Sequence, residues 1–262
     1  MIDDYLNGFL ILITGLLSGI YVGIASGTAE AFMIPILTIF IGSSVYQAIG
    51  TSLVVDSIIG LTAGIIFLRK GNVNFKPVII LSICGVISAF IGTNFTTGAP
   101  ESVLKGLIAF VLIIFGINLL INGVKKNVEY IENKIKFTWF KNNKNYSLII
   151  FGILIGFASG FTGMGSSGAV TLVLIFIMGY NLHTAIGTSL LMMFFITGSG
   201  AIGHGFIGNF IFDAALIAGL GAVIGASSGS IIANKFDENK LGRLIGGILT
   251  IIGVIFLIKL FI

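Results

Sequence analysis

Six residues, Ala48-Ile49-Gly50-Thr51-Ser52-Leu53, recur unchanged as Ala185-Ile186-Gly187-Thr188-Ser189-Leu190, a spacing of 185 − 48 = 137 residues. The same spacing aligns positions far from the string. Gly15, Gly19 and Gly23 fall on Gly152, Gly156 and Gly160, and Gly71, Asn72 and Phe75 fall on Gly208, Asn209 and Phe212. Gly92, Glu101, Leu104 and Gly116 fall on Gly229, Glu238, Leu241 and Gly253. No gap is needed from Asn7 onward, so the chain is a duplicated unit. Each copy must fold alike and bury a face against the other.

The 262 residues are 56% hydrophobic and 9% charged, with a mean hydropathy of +1.12. A soluble domain carries about 25% charged residues, so the composition requires a multi-pass membrane protein. Two apolar repeats in a bilayer point to a secondary transporter whose site lies where the copies meet. The net charge of +4 sits in short clusters between apolar runs, where membrane topology places basic residues; it is no sign of nucleic-acid binding. Cys84 is the only cysteine, so no intramolecular disulfide forms, and it reads as a small packing residue. His183 and His204 are isolated, and no metal or other cofactor is expected. His204, at the outer end of its segment, is expected at the membrane interface. Asp3 and Asp4 precede the first apolar run. A cleavable signal has a positive start, so the first segment is expected to be retained with the N-terminus outside.

Each half holds five apolar segments: 6–26, 31–41, 48–68, 78–97 and 103–121, then 147–161, 168–178, 185–204, 214–233 and 241–261. A full span needs about 20 residues. The second segment of each half reaches only about 16 Å as a helix, so it reads as a re-entrant or broken element lined by protein or water. The turn after the third segment carries Arg69, Lys70 and Lys76 in the first half, whereas its equivalent at 205–213 has no lysine or arginine. The turn after the fourth reverses this, with Glu101 and Lys105 in one half against Lys235, Lys240 and Arg243 in the other. Equivalent turns thus fall on opposite faces, and the repeats are inverted. The expected architecture is all-α: a repeat over 1–122, a basic cytoplasmic linker over 123–146 and a second repeat over 147–262, with both termini external. Tyr130, Trp139 and Tyr146 suit an interfacial linker.

The stripe of Gly15, Gly19, Gly23 and Gly27 recurs every fourth residue; for the first three, close helix packing is the plain reading. The breaks read differently. Ala25-Ser26-Gly27-Thr28-Ala29-Glu30-Ala31 and Thr162-Gly163-Met164-Gly165-Ser166-Ser167-Gly168 sit where a helix opens. Freed backbone N–H groups and a short helix's positive end suit an anion there, with Thr28, Ser166 and Ser167 adding hydroxyl donors. A flexible turn is the competing reading. The duplicated Gly50-Thr51-Ser52 and Gly187-Thr188-Ser189 place one chemistry twice about a pseudo-two-fold axis, as a midplane site requires. The alternative is local: hydroxyls bonding back to the preceding turn and glycines admitting a neighbour. Two acids lie in apolar sequence, Glu30 and Asp56, with Ser167 and Met193 as their counterparts. An ionised carboxylate at mid-bilayer costs about 2.5–3.5 kcal/mol on insertion scales. Proton or cation coupling is one role for them and a locally paired or protonated carboxyl the other.

At these residues the chain resembles the TauE/SafE sulfite exporter family over nearly its whole length. The resemblance lies in the two Gly-rich breaks, in Pro35 with Ile36-Leu37, in the Ala-Ile-Gly-Thr-Ser-Leu copies, and in the Gly71-Asn72 and Gly208-Asn209 turns. It implies transport of sulfite, sulfonates or related small sulfur anions across the cytoplasmic membrane, as export coupled to protons. The chain departs from the family where Thr28-Ala29-Glu30 replaces the usual glycine run and where Leu172 stands in place of a proline. The expected function is therefore small-anion transport by alternating access. Thr28, Gly50, Thr51, Ser52, Gly163, Gly165, Ser166, Ser167, Gly187, Thr188 and Ser189 line the site, and Glu30 or Asp56 couples protons. The alternatives are a passive anion channel and a carrier of a non-sulfur carboxylate. No catalytic constellation is present and an enzyme is not expected. The expected partners are the bilayer, the anion and, as one allowed assembly, a second copy of the chain.

Overall fold

The computed structural model describes residues 2–134, 138–163, 167–233 and 238–261, and every element in them is helical. The elements are α1 (Ile2–Ala25), α2 (Glu30–Ile39), α3 (Val45–Arg69), α4 (Phe75–Thr96), α5 (Glu101–Lys134) and α6 (Thr138–Asn142). They continue as α7 (Lys144–Thr162), α8 (Ser167–Val173), α9 (Leu182–Phe206), α10 (Phe212–Ile232) and α11 (Glu238–Phe261). A wider π-type turn, Leu174–Met178, extends α8. Among the described residues seven helices are long and apolar enough to cross a membrane, and the two short apolar ones are Glu30–Ile39 and Ser167–Met178. The chain is thus an all-α, multi-pass membrane protein, and its ten apolar segments became helices within a few residues of the expected bounds, except that the fifth, expected at 103–121, continues as α5 to Lys134, into the stretch expected as linker.

Local chemistry places the ends. Ser44 caps α3 with Gln47 returning the bond, at 3.2 and 3.4 Å. At the equivalent start of α9, the Asn181 side chain accepts the Thr184 N–H at 2.9 Å. After α3 and α9 the chain turns on Gly71 and Gly208, at φ +75° and +72°, so that Asn72 N–H reaches Phe67 O and Asn209 N–H reaches His204 O. Such a left-handed turn is cheapest for glycine, and it returns two N–H groups to otherwise open carbonyls.

The helices pack in pairs related by the 137-residue spacing. On α1, Gly15, Gly19 and Gly23 lie against the backbone of Ala218, Ala222 and Ala226 on α10, and Gly221, Gly225 and Gly229 return the contact to Leu12, Leu16 and Ile20. On α7, Gly152, Gly156 and Gly160 lie in the same way against Leu81, Gly85 and Ala89 on α4. Helix α3 crosses α9, with Gly60 on Phe194 and Gly64 on Leu191, and α5 pairs with α11 through Gly116, Thr250 and Gly253. Small residues let backbones approach in a solvent that gives no hydrophobic drive between helices. The outward faces stay apolar: Ile79, Ile83, Ile87 and Phe90 on α4, and Leu216, Leu220 and Ile224 on α10, are exposed as a lipid-facing belt demands. Trp139 and Tyr146, in the stretch 123–146 expected as an interfacial linker, are exposed too. His204, two residues from the end of α9, is fully buried, its Nε2 standing 3.1 Å from the Gly160 carbonyl oxygen, because the α9 end is packed against α7.

Candidate functional site

Both breaks open on one left-handed residue. Helix α1 ends at Ala25 and Ser26 follows at φ +51°; α7 ends at Thr162 and Gly163 follows at φ +76°. These two positions are equivalent under the repeat, yet only one is a glycine. The left-handed conformation costs a non-glycine residue roughly 1–2 kcal/mol, which something must offset. The Ser26 hydroxyl supplies the answer: it lies 2.9 Å from Thr171 Oγ1 and 2.9 Å from Ser189 Oγ, and those two lie 2.7 Å apart. Three buried hydroxyls from α1's break, α8 and α9 thus close a triangle. Ser167, at the start of α8, donates its hydroxyl to Ser26 O at 3.1 Å and Gly27 O at 2.6 Å. The two breaks therefore meet in the protein interior.

An acid pair flanks this contact. Glu30 opens α2 and is 2% exposed; Asp56, on α3, is 0% exposed. Asp56 Oδ1 accepts the Ala29 N–H at 2.7 Å, and the Glu30 carboxyl lies close beside the Asp56 carboxyl. Tyr21 of α1 lies within electrostatic reach of both acids, its ring covering Gly27 and meeting Phe32 edge-on at 5.7 Å.

The expected site residues divide. Ser189 and Ser167 join the contact between the breaks, and Gly163 forms its left-handed corner. Thr28 is half-buried in the unwound stretch. Gly165 and Ser166 lie outside the described residues. Ser52 bonds back to Ile49 O at 2.8 Å and stays apart from the triangle. Thr51 and Thr188 take a different position altogether. Thr51 Oγ1 donates to Gln47 O at 2.7 Å and accepts the Ile211 N–H at 2.9 Å, while Thr188 Oγ1 accepts the Asn74 N–H at 3.0 Å. Each hydroxyl satisfies the chain entering α10 or α4, and a Cβ on Gly50 or Gly187 would collide with the carbonyl of Asn209 or Asn72. Three further residues, Ser26, Thr171 and Tyr21, belong to the site but were absent from the expected set. Ser26 was signalled as the repeat partner of Gly163, and Thr171 lies one turn beyond Ser167 on the same face. Nothing in the sequence marked Tyr21, whose counterpart is Ala158.

Among the described residues no lysine or arginine is buried, and no group of three or more His, Cys, Asp or Glu side chains is placed to hold a metal. What converges here is hydroxyls, opened backbone and one carboxyl pair. Such a set orients a small polar solute by hydrogen bonds and can hold or release a proton.

A family profile described as sulfite exporter TauE/SafE matches residues 9–256. Among curated proteins, the chain is 26% identical to the probable membrane transporter protein YdhB of Bacillus subtilis, over 83% of this chain and 88% of that one. It is 24% identical to the probable membrane transporter protein YjnA of the same organism, covering 93% and 97% of the two chains. A probable membrane transporter protein of Methanocaldococcus jannaschii is 26% identical, with 95% of each chain covered. No solved structure matches the chain.

Proposed function

This chain belongs to the sulfite exporter TauE/SafE family, whose members are membrane transporters rather than enzymes, and on that premise we propose that it carries a small sulfur oxyanion, sulfite or a sulfonate, across the cytoplasmic membrane by alternating access. The observation behind the proposal is the meeting of the two helix breaks, where Ser26, Thr171 and Ser189 form a buried hydroxyl triangle beside the Glu30–Asp56 pair. Discontinuous helices that meet at the repeat boundary are the usual setting of a transporter site. Oxyanions accept hydrogen bonds, and hydroxyls with opened backbone N–H groups provide them.

In this reading the two halves are inverted copies, 1–122 and 147–262, joined by a basic cytoplasmic stretch, with both termini outside. The opposite charge of equivalent turns supports inversion, and contacts that recur under the 137-residue spacing support a two-fold relation between the copies. The α1–α10 pairing recurs as α7–α4, and the Thr51–Ile211 bond recurs as Thr188–Asn74. Rocking one copy against the other exposes the break contact first to one side and then to the other. Glu30 carries the coupled proton, because its protonation removes a negative charge beside the bound anion.

The experiment is sulfite and sulfoacetate flux in proteoliposomes of the purified protein, with and without an imposed pH gradient. Saturable flux that follows the gradient is the expected result. Unitary currents would replace the carrier by a channel, and no flux of either anion in sealed vesicles would remove the sulfur-oxyanion assignment.

A further inference from the structure

Between the outer faces of α4 and α9 runs a groove of about 520 Å³, walled by Phe75, Ile79, Ser82 and Ile87 on one side and by Leu191 and Phe195 on the other. Its open side faces the bilayer, where Ile79, Ile83 and Ile87 stand exposed. From Phe75 to Ile87 the wall rises about 18 Å, close to the depth of about 15 Å of one leaflet's hydrocarbon. The bilayer core holds no water, so a hydrocarbon chain is what fills such a space. Ser82 makes the room by being small. It is 8% exposed, and its hydroxyl has no hydrogen-bond partner among the described residues; an ester oxygen of the occupant would supply the missing acceptor.

The repeat provides a comparison within the molecule. At the 137-residue spacing Ser82 falls on Gly219, and Phe195 falls on Ile58. There the space is closed, since a Cβ on Gly219 would lie 2.8 Å from Ile58 Cδ1. The charges differ in the same sense. The groove begins at Phe75, beside the turn that carries Arg69, Lys70 and Lys76, all three exposed and, among the described residues, outside any ion pair. Their counterparts are Phe206, Ile207 and Asp213, with no positive charge among them. The open groove and the basic cluster fall on the same copy.

We propose that the α4–α9 groove is a binding site for an anionic phospholipid, with one acyl chain lying from Phe75 to Ile87 and the phosphate headgroup held by Arg69, Lys70 and Lys76. The groove alone accepts the chain of any lipid. The basic residues at its mouth make the choice, because cations at a membrane surface attract anionic headgroups. A second copy of this chain is disfavoured as the occupant: a two-fold contact uses the same patch on both partners and would bring two basic clusters together. The site rests on the membrane fold alone and is independent of the solute carried.

The test uses full-length protein in bilayers of phosphatidylcholine and phosphatidylglycerol, with one or the other lipid brominated in its chains. In a Trp139→Phe background, which removes the only tryptophan, Ile83→Trp places a fluorophore on the groove wall. Leu220→Trp places one at the repeat-equivalent position, since 220 − 83 = 137. Quenching is expected to show phosphatidylglycerol favoured at least about fivefold at Ile83→Trp, the effect of one basic contact of ordinary strength, and no preference at Leu220→Trp. Adding Arg69→Gln with Lys76→Gln should remove most of the preference. Lys141→Gln with Lys144→Gln, two exposed lysines away from the groove, should leave it intact. Ser82→Phe fills the groove, keeps the basic cluster and should abolish the preference. Equal quenching by both lipids at Ile83→Trp overturns the proposal, as does an equal preference at Leu220→Trp or one that survives Ser82→Phe. Weak quenching by both lipids at Ile83→Trp alone would seat protein there and also overturn it. Should Ser82→Phe not fold, the Arg69→Gln, Lys76→Gln protein decides. None of these readings needs transport, so a failed flux assay would overturn the carrier reading and leave the lipid site to be judged separately.

Discussion

Thr51 and Ile211 are joined by a hydrogen bond that the chain makes twice: Thr51 Oγ1 accepts the Ile211 N–H at 2.9 Å, and Thr188 Oγ1 accepts the Asn74 N–H at 3.0 Å. Each bond ties one copy of the repeated Gly-Thr-Ser to the first residues of the helix that follows the opposite copy. Removing the hydroxyl leaves a part-buried N–H without its partner, which costs about 1 kcal/mol. Thr51→Val and Thr188→Val are therefore expected to lower thermal stability by similar amounts while leaving the half-saturation concentration for transport within about twofold of the parent. Thr51→Ser restores stability. A large rise in half-saturation with unchanged melting would instead place Thr51 on the substrate.

Ser26 offers the converse case. Its hydroxyl joins Thr171 and Ser189, and its backbone sits where its repeat partner is a glycine. Ser26→Gly is expected to relieve about 1 kcal/mol of backbone strain, and Ser26→Ala keeps the strain. Both lose one hydroxyl of the triangle, worth about 1 kcal/mol or roughly fivefold in affinity. Flux titrations should show the same loss in both variants, and unfolding should rank S26G above S26A. Equal affinity in all three would detach the triangle from substrate binding.

The acid pair predicts a pH dependence with a definite sign. Protonation of Glu30 takes a negative charge away from the anion's surroundings, so acidification of the side from which substrate enters is expected to strengthen binding and speed transport. Glu30→Gln imitates the protonated form permanently. Its flux should stay saturable and lose its response to a pH gradient. A gradient response unchanged in E30Q would remove Glu30 from coupling.

Inverted orientation is checked by labelling. In a Cys84→Ala background, Lys70→Cys and Ile207→Cys occupy equivalent places in the two halves, since 207 − 70 = 137, each in the turn that follows α3 or α9. A membrane-impermeant maleimide is expected to reach Ile207→Cys from outside cells and Lys70→Cys only after the membrane is opened. Labelling of both from one side would mean parallel repeats.

The glycine stripes separate packing from mere flexibility. A Cβ at Gly156 would strike the Gly85 backbone, whereas one at Gly98 meets only the Phe95 carbonyl oxygen at 3.5 Å. Gly156→Ala is expected to cost about 1–3 kcal/mol through overpacking of α4 on α7, and Gly98→Ala to stay within about 0.5 kcal/mol. Folded yield and melting temperature in detergent read the difference.

The amino-acid sequence alone settled the membrane class, the ten helical segments, the two breaks and the packing role of the glycine stripes. All of these follow from hydropathy, segment length and periodicity, which act within a few turns of chain. It marked Gly163 and Ser167 as part of a glycine-rich break, and Ser189 through the duplicated Gly-Thr-Ser, among the residues at the break contact. The tertiary structure decided which partner each marked face meets. Ser26 lies 145 residues from Thr171 and 163 from Ser189, and no local pattern encodes an encounter of that reach. Thr188, next to Ser189 in sequence, and its repeat partner Thr51 turn instead to the opposite copy, since successive residues on a helix point about 100° apart. Asp56 was legible as a costly buried acid; that it faces the Ala29 N–H at the start of α2 was fixed only when α3 packed beside that helix end.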